Sequence, residues 1–413
     1  MYYKKKNPHG GATEKSIIDF SASVNPLGAP SSVIEAAKEA LDKIDRYPDP
    51  YAEDLVKAIA TYEGVPSDYI ICGNGASEII YFYCAAFKPN RALEIAPTFS
   101  EYEEAERLSG GEMLYYTCKE SDLAAGDGVA ASDDFVPRDD FFDCLAEVKP
   151  SIVFICNPNN PTGKLYSKEF IEKVLIKAKA LGARVFIDEC FMDLSNGIWS
   201  SKEFLKEYPN LFILKAFTKT FAMPGLRLGY GLCSDENLLA KMSEITPPWN
   251  ISSVAQAAGI AATRETEYIK KAKELVADER AYLIKELSAL GFKTASSGAN
   301  FILFYDSRNT RRAYGGELSN RAGDKELNAS ADHVDGEKDQ SAGGTEQPNR
   351  EDGGKGPADI DLRAHLLQKG IAIRDCANFP GLTEGWYRIA IKNHEDNQKL
   401  IDALGSIDTA VLL

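Results

Sequence analysis

The chain has 413 residues, 44% of them hydrophobic, enough to bury one large domain and a smaller one. Its 62 acidic residues outweigh 47 basic ones, and the formal net charge of −15 argues against a nucleic-acid partner, which selects a basic face. An acidic surface also repels phosphorylated ligands, so any site for one must carry its own cations.

The N-terminus, MYYKKKNPHGGATEKS, has lysines but no apolar stretch behind them, and does not read as a signal peptide. No apolar run approaches the ~20 residues that span a bilayer. From about residue 70, short apolar runs alternate with amphipathic stretches. YIICG (69–73), RALEIA (91–96), EMLYYTC (112–118), SIVFICNP (151–158), RVFIDEC (184–190), LFILKAF (211–217) and GLRLGYGLC (225–233) read as strands. FSEYEEAERLSG (99–110) and SKEFIEKVLIKAKALG (167–182) read as helices between them. Continuous apolar runs separated by helices predict an α/β domain whose mostly parallel sheet is covered on both faces.

After residue 250 the pattern changes. A long helix is predicted over roughly 252–289, then strands at FKTASSG (292–298) and NFILFY (300–305). DLRAHLLQKG (361–370) reads as a helix stopped by Gly370, IAIRDC (371–376) and WYRIAI (386–391) as strands, and HEDNQKLIDALG (394–405) as a closing helix. This predicts a smaller α+β domain. Between its parts, residues 306–358 hold nine glycines and, among Val, Ile, Leu, Met, Phe and Trp, only Leu318, Leu327 and Val334. Such a stretch buries too little apolar surface to offset its ordering entropy, so a disordered surface insertion is expected there, dispensable for the site.

The eight cysteines include no CxxC pair and no histidine at zinc-like spacing, so no metal site is expected. Most sit in apolar runs and read as small core residues. With the N-terminus, they predict a reducing cytoplasm.

Chemistry-bearing residues follow the predicted strands, where α/β sheets gather their sites. NPNNPTG (157–163) places Asn160, FIDEC (186–190) places Asp188, and AFTKTFAMPGLRLGY (216–230) places Lys219 and Arg227. An amine can condense with an aldehyde, a guanidinium can bind a phosphate, and a carboxylate can hold a ring nitrogen protonated. Lys215 is a nearby alternative amine. GNGASEII (73–80) is a glycine turn opening a helix, whose free N–H groups suit an anion. It lacks the GxGxxG spacing of a dinucleotide site.

This order and spacing resemble the fold-type I enzymes of the aminotransferase-like family, which use pyridoxal 5′-phosphate (PLP). The resemblance selects Lys219 over Lys215 as the lysine that the cofactor aldehyde condenses with, because Arg227 then matches the phosphate-binding arginine. It implies Asp188 at the pyridine nitrogen, Asn160 at the 3-oxygen, and Phe99 stacked on the ring. The Ala76 backbone, Ser77, Thr218 and Arg227 would hold the phosphate, with Tyr47 crossing from a second subunit of a homodimer. It also implies an N-terminal segment, 1–45, packed with the small domain (276–413), and a large PLP-binding domain over 46–275. Two positions depart from the family pattern. Phe191 stands where relatives carry a tyrosine hydroxyl toward the 3-oxygen, and Ala216 where many carry a phosphate-binding hydroxyl.

HGG (9–11), DFSASVNPLGAP (19–30) and IRDCANFPGL (373–382) are similar to the threonine-phosphate decarboxylase branch. Histidinol-phosphate aminotransferases, which share the RYPD, NPNNPTG and PGLRLG-like pieces, are the sister branch and the alternative. The resemblance implies Arg388 for the substrate carboxylate and Arg374 for its phosphate, helped by His9 and Asn25. The expected reaction is decarboxylation of L-threonine O-3-phosphate to (R)-1-amino-2-propanol O-2-phosphate, in cobalamin biosynthesis. Lys219 is the expected proton donor.

Overall fold

The computed structural model describes residues 9–118, 134–306 and 361–410; the insertion expected at 306–358 lies, beyond Asp306, outside the described residues. In chain order the strands are β1 (Ile18–Asp19), β2 (Ile70–Gly73), β3 (Arg91–Ala96), β4 (Glu112–Thr117), β5 (Ile152–Cys156), β6 (Arg184–Asp188), β7 (Leu211–Ala216) and β8 (Gly229–Cys233). They are followed by β9 (Lys293–Thr294), β10 (Phe301–Tyr305), β11 (Ile371–Ala372), β12 (Arg374–Asp375) and β13 (Trp386–Ala390).

β2 to β8 form one sheet in the order β2-β8-β7-β6-β5-β3-β4, with β8 antiparallel to its neighbours β2 and β7 and the remaining pairs parallel. The period-2 alternation of a strand explains why these runs are apolar throughout. Val153, Ile155, Val185, Ile187, Leu211 and Ile213 face one apolar layer, under helices such as Lys168–Ala180 and Glu53–Glu63. Ile152, Phe154, Phe186, Phe212 and Leu214 face the other, under the helices Ala76–Phe87 and Glu236–Ile245. Each such side chain, fully buried, contributes roughly 1.5–3 kcal/mol. The fold is the α/β architecture expected, a mostly parallel sheet flanked by helices with a small antiparallel sheet beside it.

That second sheet has the order β12-β13-β10-β9. Its core joins Ile302, Phe304 and Ile389 to Leu283 and Leu287 of the helix Thr266–Ala289, and to Phe20 from the N-terminal segment. β1 pairs in parallel with β11. The helix Ser31–Ala40, by contrast, packs on the helix Ser253–Ala262, so the N-terminal segment is shared between the two parts.

Four elements differ from the sequence reading, the first being GLRLGYGLC, whose strand starts only at Gly229, after a 3₁₀ turn over Pro224–Leu226. The single helix expected over 252–289 is two, Ser253–Ala262 and Thr266–Ala289, because Arg264 and Glu265 bond back three residues, to Ala261 and Ala262, and tighten the chain out of the helix. Only Lys293–Thr294 of FKTASSG is strand; Gly298 leaves the ladder to donate to the carbonyl of Gly163. IAIRDC divides at Ile373, since Ile371 pairs with Ile18 while Arg374 pairs with Arg388 in the other sheet. Among the described residues no helix is long and apolar enough to cross a membrane.

Candidate active site

Parallel register lines up the strand ends: Cys156 stands opposite Asp188, and Asp188 opposite Leu214. The segments that follow these ends therefore meet, and with the start of the helix Ala76–Phe87 they enclose a cavity of about 330 Å³. That lies within the roughly 300–1,000 Å³ of small-molecule sites. Ala76, Ser77, Phe99, Asn160, Asp188, Thr218, Lys219 and Arg227 all line it. So do Arg374, Arg388 and His9, brought in by the small sheet and the N-terminal segment.

Asp188 is buried, its Oδ1 accepting from the backbone N–H of Cys190 at 2.8 Å and its Oδ2 from the Tyr102 hydroxyl at 2.7 Å. Burial pushes this carboxyl above its ordinary range, while the Cys190 and Tyr102 donors and the Lys219 charge oppose the rise. A cationic N–H in the cavity is the partner such a carboxylate calls for. Tyr102 escaped the sequence reading. Its only signal was an aromatic three residues after Phe99 on the same helical face, which reads equally as core.

The Lys219 amine is pushed down to about 8, first by burial and then by the positive charges of Arg388 and Arg227. A substantial neutral fraction near pH 8 makes it a nucleophile. It stands 5.7 Å from the ring centroid of Phe191. Lys215 has the opposite fate. It is buried in ion pairs with Glu63 at 2.9 Å and Asp193 at 3.3 Å, and although burial lowers it, those carboxylates hold it well above the ordinary lysine value. Lys215 is a structural ammonium, and the structure leaves Lys219 as the cavity amine.

At the other end, Gly75 adopts φ +90°, and a Cβ there would lie 2.5 Å from Arg227 Nη2. The glycine thus lets the guanidinium close on the start of the helix Ala76–Phe87, which has no side-chain cap. A helix N-terminus and a guanidinium together form a phosphate cradle.

Arg388 is buried, donating through Nη1 to Asn160 Oδ1 and through Nη2 to the Ser21 carbonyl at 2.8 Å; among the described residues its Nε has no hydrogen-bond partner. Burial, with Arg374 adding repulsion, lowers it to about 10, still a cation at neutral pH. Arg374 stands directly across the β12–β13 pair from Arg388. It donates to the Asp375 carbonyl at 2.6 Å and to Asn378 Oδ1 at 2.8 Å, with its guanidinium 5.2 Å from the Phe379 ring centroid. The His9 ring packs on Phe99 at 5.4 Å, and its Nε2 lies 2.6 Å from Glu101 Oε1. Glu101 lines the cavity too and was not anticipated.

Two expected site residues lie elsewhere. Asn25 is behind the cavity wall, its N–H donating to the Lys219 carbonyl at 3.0 Å and its Nδ2 to the Thr220 carbonyl at 2.8 Å. Its amide is used on the backbone, not turned to the cavity. Tyr47 is 81% exposed and rests on Trp249, ring centroids 4.6 Å apart, outside the cavity of its own chain.

The donor set fits PLP: an amine for the aldehyde, a buried carboxylate for the ring nitrogen, an amide for the 3-oxygen and a cradle for the phosphate. Sheet order, cavity and residues define a PLP enzyme of fold type I. The model of the family "Aminotransferase class I and II" matches residues 15–404, and the chain belongs to that PLP-dependent family. It is similar to the threonine-phosphate decarboxylase of Salmonella typhimurium, 30% identical over 403 residues, covering 97% of this chain and 94% of that protein. It is also similar to the histidinol-phosphate aminotransferase of Methanothermobacter thermautotrophicus, 31% identical over 403 residues, covering 96% of this chain and 90% of that protein. The crystal structure of the histidinol-phosphate aminotransferase from Clostridium acetobutylicum superposes with a TM-score of 0.72 at 30% identity, covering 95% of this chain and all (100%) of that one.

Proposed function

We propose that the chain decarboxylates L-threonine O-3-phosphate to (R)-1-amino-2-propanol O-2-phosphate and carbon dioxide, a step of cobalamin biosynthesis. The observation that carries this reading is the cross-strand pair Arg374 and Arg388, both lining the cavity that holds Lys219. Two guanidinium groups suit a substrate with two anionic ends, a carboxylate and a phosphate. Histidinol phosphate has only the phosphate, but in an aminotransferase the dicarboxylate 2-oxoglutarate would use both guanidinium groups, so release of carbon dioxide is what separates the two readings.

Bound PLP supplies an electron sink for the pair released when a bond at the substrate α-carbon breaks. Asp188 would keep the ring nitrogen protonated, Asn160 would donate to the 3-oxygen, and Phe99 would stack on the ring. Arg227, Thr218, Ser77 and the Ala76 N–H would hold the cofactor phosphate. Arg388 holds the substrate carboxylate and Arg374, with His9, its phosphate. Loss of carbon dioxide leaves the bonding pair at the α-carbon, and Lys219 Nζ delivers the proton that takes its place.

The working form in this reading is a homodimer. Tyr47 is exposed and rests on the exposed Trp249, and Leu41, Ile44 and Tyr51 in the same stretch of chain are exposed too, apolar area suited to a second copy whose cofactor phosphate Tyr47 would reach. All eight cysteines are free thiols, consistent with a reducing cytoplasm.

The test is incubation of the PLP-loaded protein with O-phospho-L-threonine, following carbon dioxide and aminopropanol phosphate by mass spectrometry. Formation of both is expected. Turnover of histidinol phosphate with 2-oxoglutarate, and no carbon dioxide from phosphothreonine, would replace this reading with the aminotransferase one.

A further inference from the structure

We propose that Asn25, Asp193 and Thr220 are positioning residues that clamp the turn carrying Lys219; the inference deepens the reading above and rests on Lys219 being the PLP lysine. Lys219 sits in a helix of only four residues, Phe217–Thr220, whose start has no side-chain cap. A single helical turn does not sustain itself, because nucleation fixes several dihedrals for one hydrogen bond. Its direction must come from outside.

Three bonds supply it. The Asn25 N–H donates to the Lys219 carbonyl at 3.0 Å, and Asn25 Nδ2 donates to the Thr220 carbonyl at 2.8 Å. The amide cannot turn over, since its Oδ1 accepts from the Leu27 N–H at 3.0 Å. From the other side, the Thr220 hydroxyl donates to Asp193 Oδ2 at 3.2 Å. Asp193 is itself fixed, its Oδ1 lying 3.3 Å from Lys215 Nζ, and Lys215 pairs with Glu63 at 2.9 Å. Asn25 and Thr220 are both almost fully buried, at 2% and 1% exposure, so no solvent replaces these partners. A lysine reaches its target through four rotatable bonds, and a swing in its backbone base is amplified at Nζ. Misplacement by about 1 Å can cost a reacting group ~10²-fold in rate.

Thr220→Ser and Thr220→Val separate a hydroxyl clamp from simple packing, because each keeps what the other removes. The measurement is the rate at which PLP attaches to Lys219 in cofactor-free protein, followed by absorbance, with a thermal melt of each variant. The clamp predicts T220S within about twofold of the unsubstituted protein and T220V slowed roughly tenfold or more. Equal rates in both, or a larger loss in T220S, would overturn it. If T220V is not recovered folded, N25A decides the matter in the same assay, slowed attachment supporting the clamp and an unchanged rate sinking it. Borohydride trapping on the unsubstituted protein keeps the two levels apart. A label absent from Lys219 sinks the reading of the lysine itself, whereas a label at Lys219 with equal variant rates sinks only the clamp.

Discussion

Arg388 donates a hydrogen bond to the side-chain oxygen of Asn160, 228 residues earlier in the chain. Guanidinium is a donor only, so Asn160 must present its oxygen to the arginine and its NH₂ elsewhere, toward the cavity that both residues line. The residue proposed to hold the substrate carboxylate thus also orients the amide proposed for the cofactor. In that proposal, substrate and cofactor recognition are coupled through one contact.

Replacing Arg388 by alanine should therefore weaken substrate capture and disturb the cofactor environment together. Apparent KM for O-phospho-L-threonine is expected to rise roughly tenfold to a hundredfold, from ~1.5–3 kcal/mol for a hydrogen bond to a charged group. R388K should not restore it, because an ammonium lacks the planar fork that spans Asn160 and Ser21. Steady-state kinetics on both variants, with the absorbance of the bound cofactor, decide the point.

The lowered Lys219 sets a pH dependence. Burial disfavours the ammonium, so the amine is protonated and unreactive below about 8 and free above it. PLP attachment to the cofactor-free protein should accelerate with pH and level off above about 8. The Arg388 charge is one cause of the shift, so R388Q should move that midpoint upward. For stability the sign is the same. The unfolded chain binds the extra proton between about 8 and 10.5, so this group's burial penalty is full below that window and fades across it as pH rises.

Gly75→Ala tests the phosphate cradle. The substitution places a Cβ 2.5 Å from Arg227 Nη2 and demands φ +90° of an L side chain. Strain of about 1–3 kcal/mol corresponds to a roughly fivefold to hundredfold loss of PLP affinity. A spectroscopic titration of cofactor-free protein measures it, and unchanged affinity would remove the turn from the cofactor site.

Glu63 carries a stability prediction. It is buried between Lys215 and Lys202, at 2.9 Å from each, and also accepts from the Tyr230 hydroxyl. Burial alone would raise its carboxyl, but the two lysines bring it to about 2. Its contribution is present above the ordinary carboxylate range and is lost as pH falls toward about 2. E63Q leaves Lys215 short of a counter-charge and should destabilise the protein by about 3–5 kcal/mol, read from urea unfolding at neutral pH.

Much of the fold could be read from single segments. The runs SIVFICNP, RVFIDEC and LFILKAF carry their own periodicity, and burial on both faces follows from it. The cavity residues that directly follow these strands were legible for the same reason. Parallel register brings strand ends side by side, so Asn160, Asp188 and Lys219 meet whatever the helices do. Residues whose role depends on a packed partner were not legible. Asn25 reads as a candidate ligand from its motif, yet the backbone of residues 219 and 220 takes its amide. Tyr102 reads as core, yet its hydroxyl sits on Asp188 from 86 residues away.

What the amino-acid order determined alone is therefore the alternation that makes each strand and the chemical groups placed at its end, because both are short-range properties of the chain. Tertiary packing decided which amine is nucleophilic and which is a structural cation. Lys215 and Lys219 are four residues apart and chemically identical when isolated. The spacing to Arg227 already singled out Lys219 by resemblance, but the physical difference arises only on folding, where one amine meets Glu63 and Asp193 and the other meets Arg388 and Arg227.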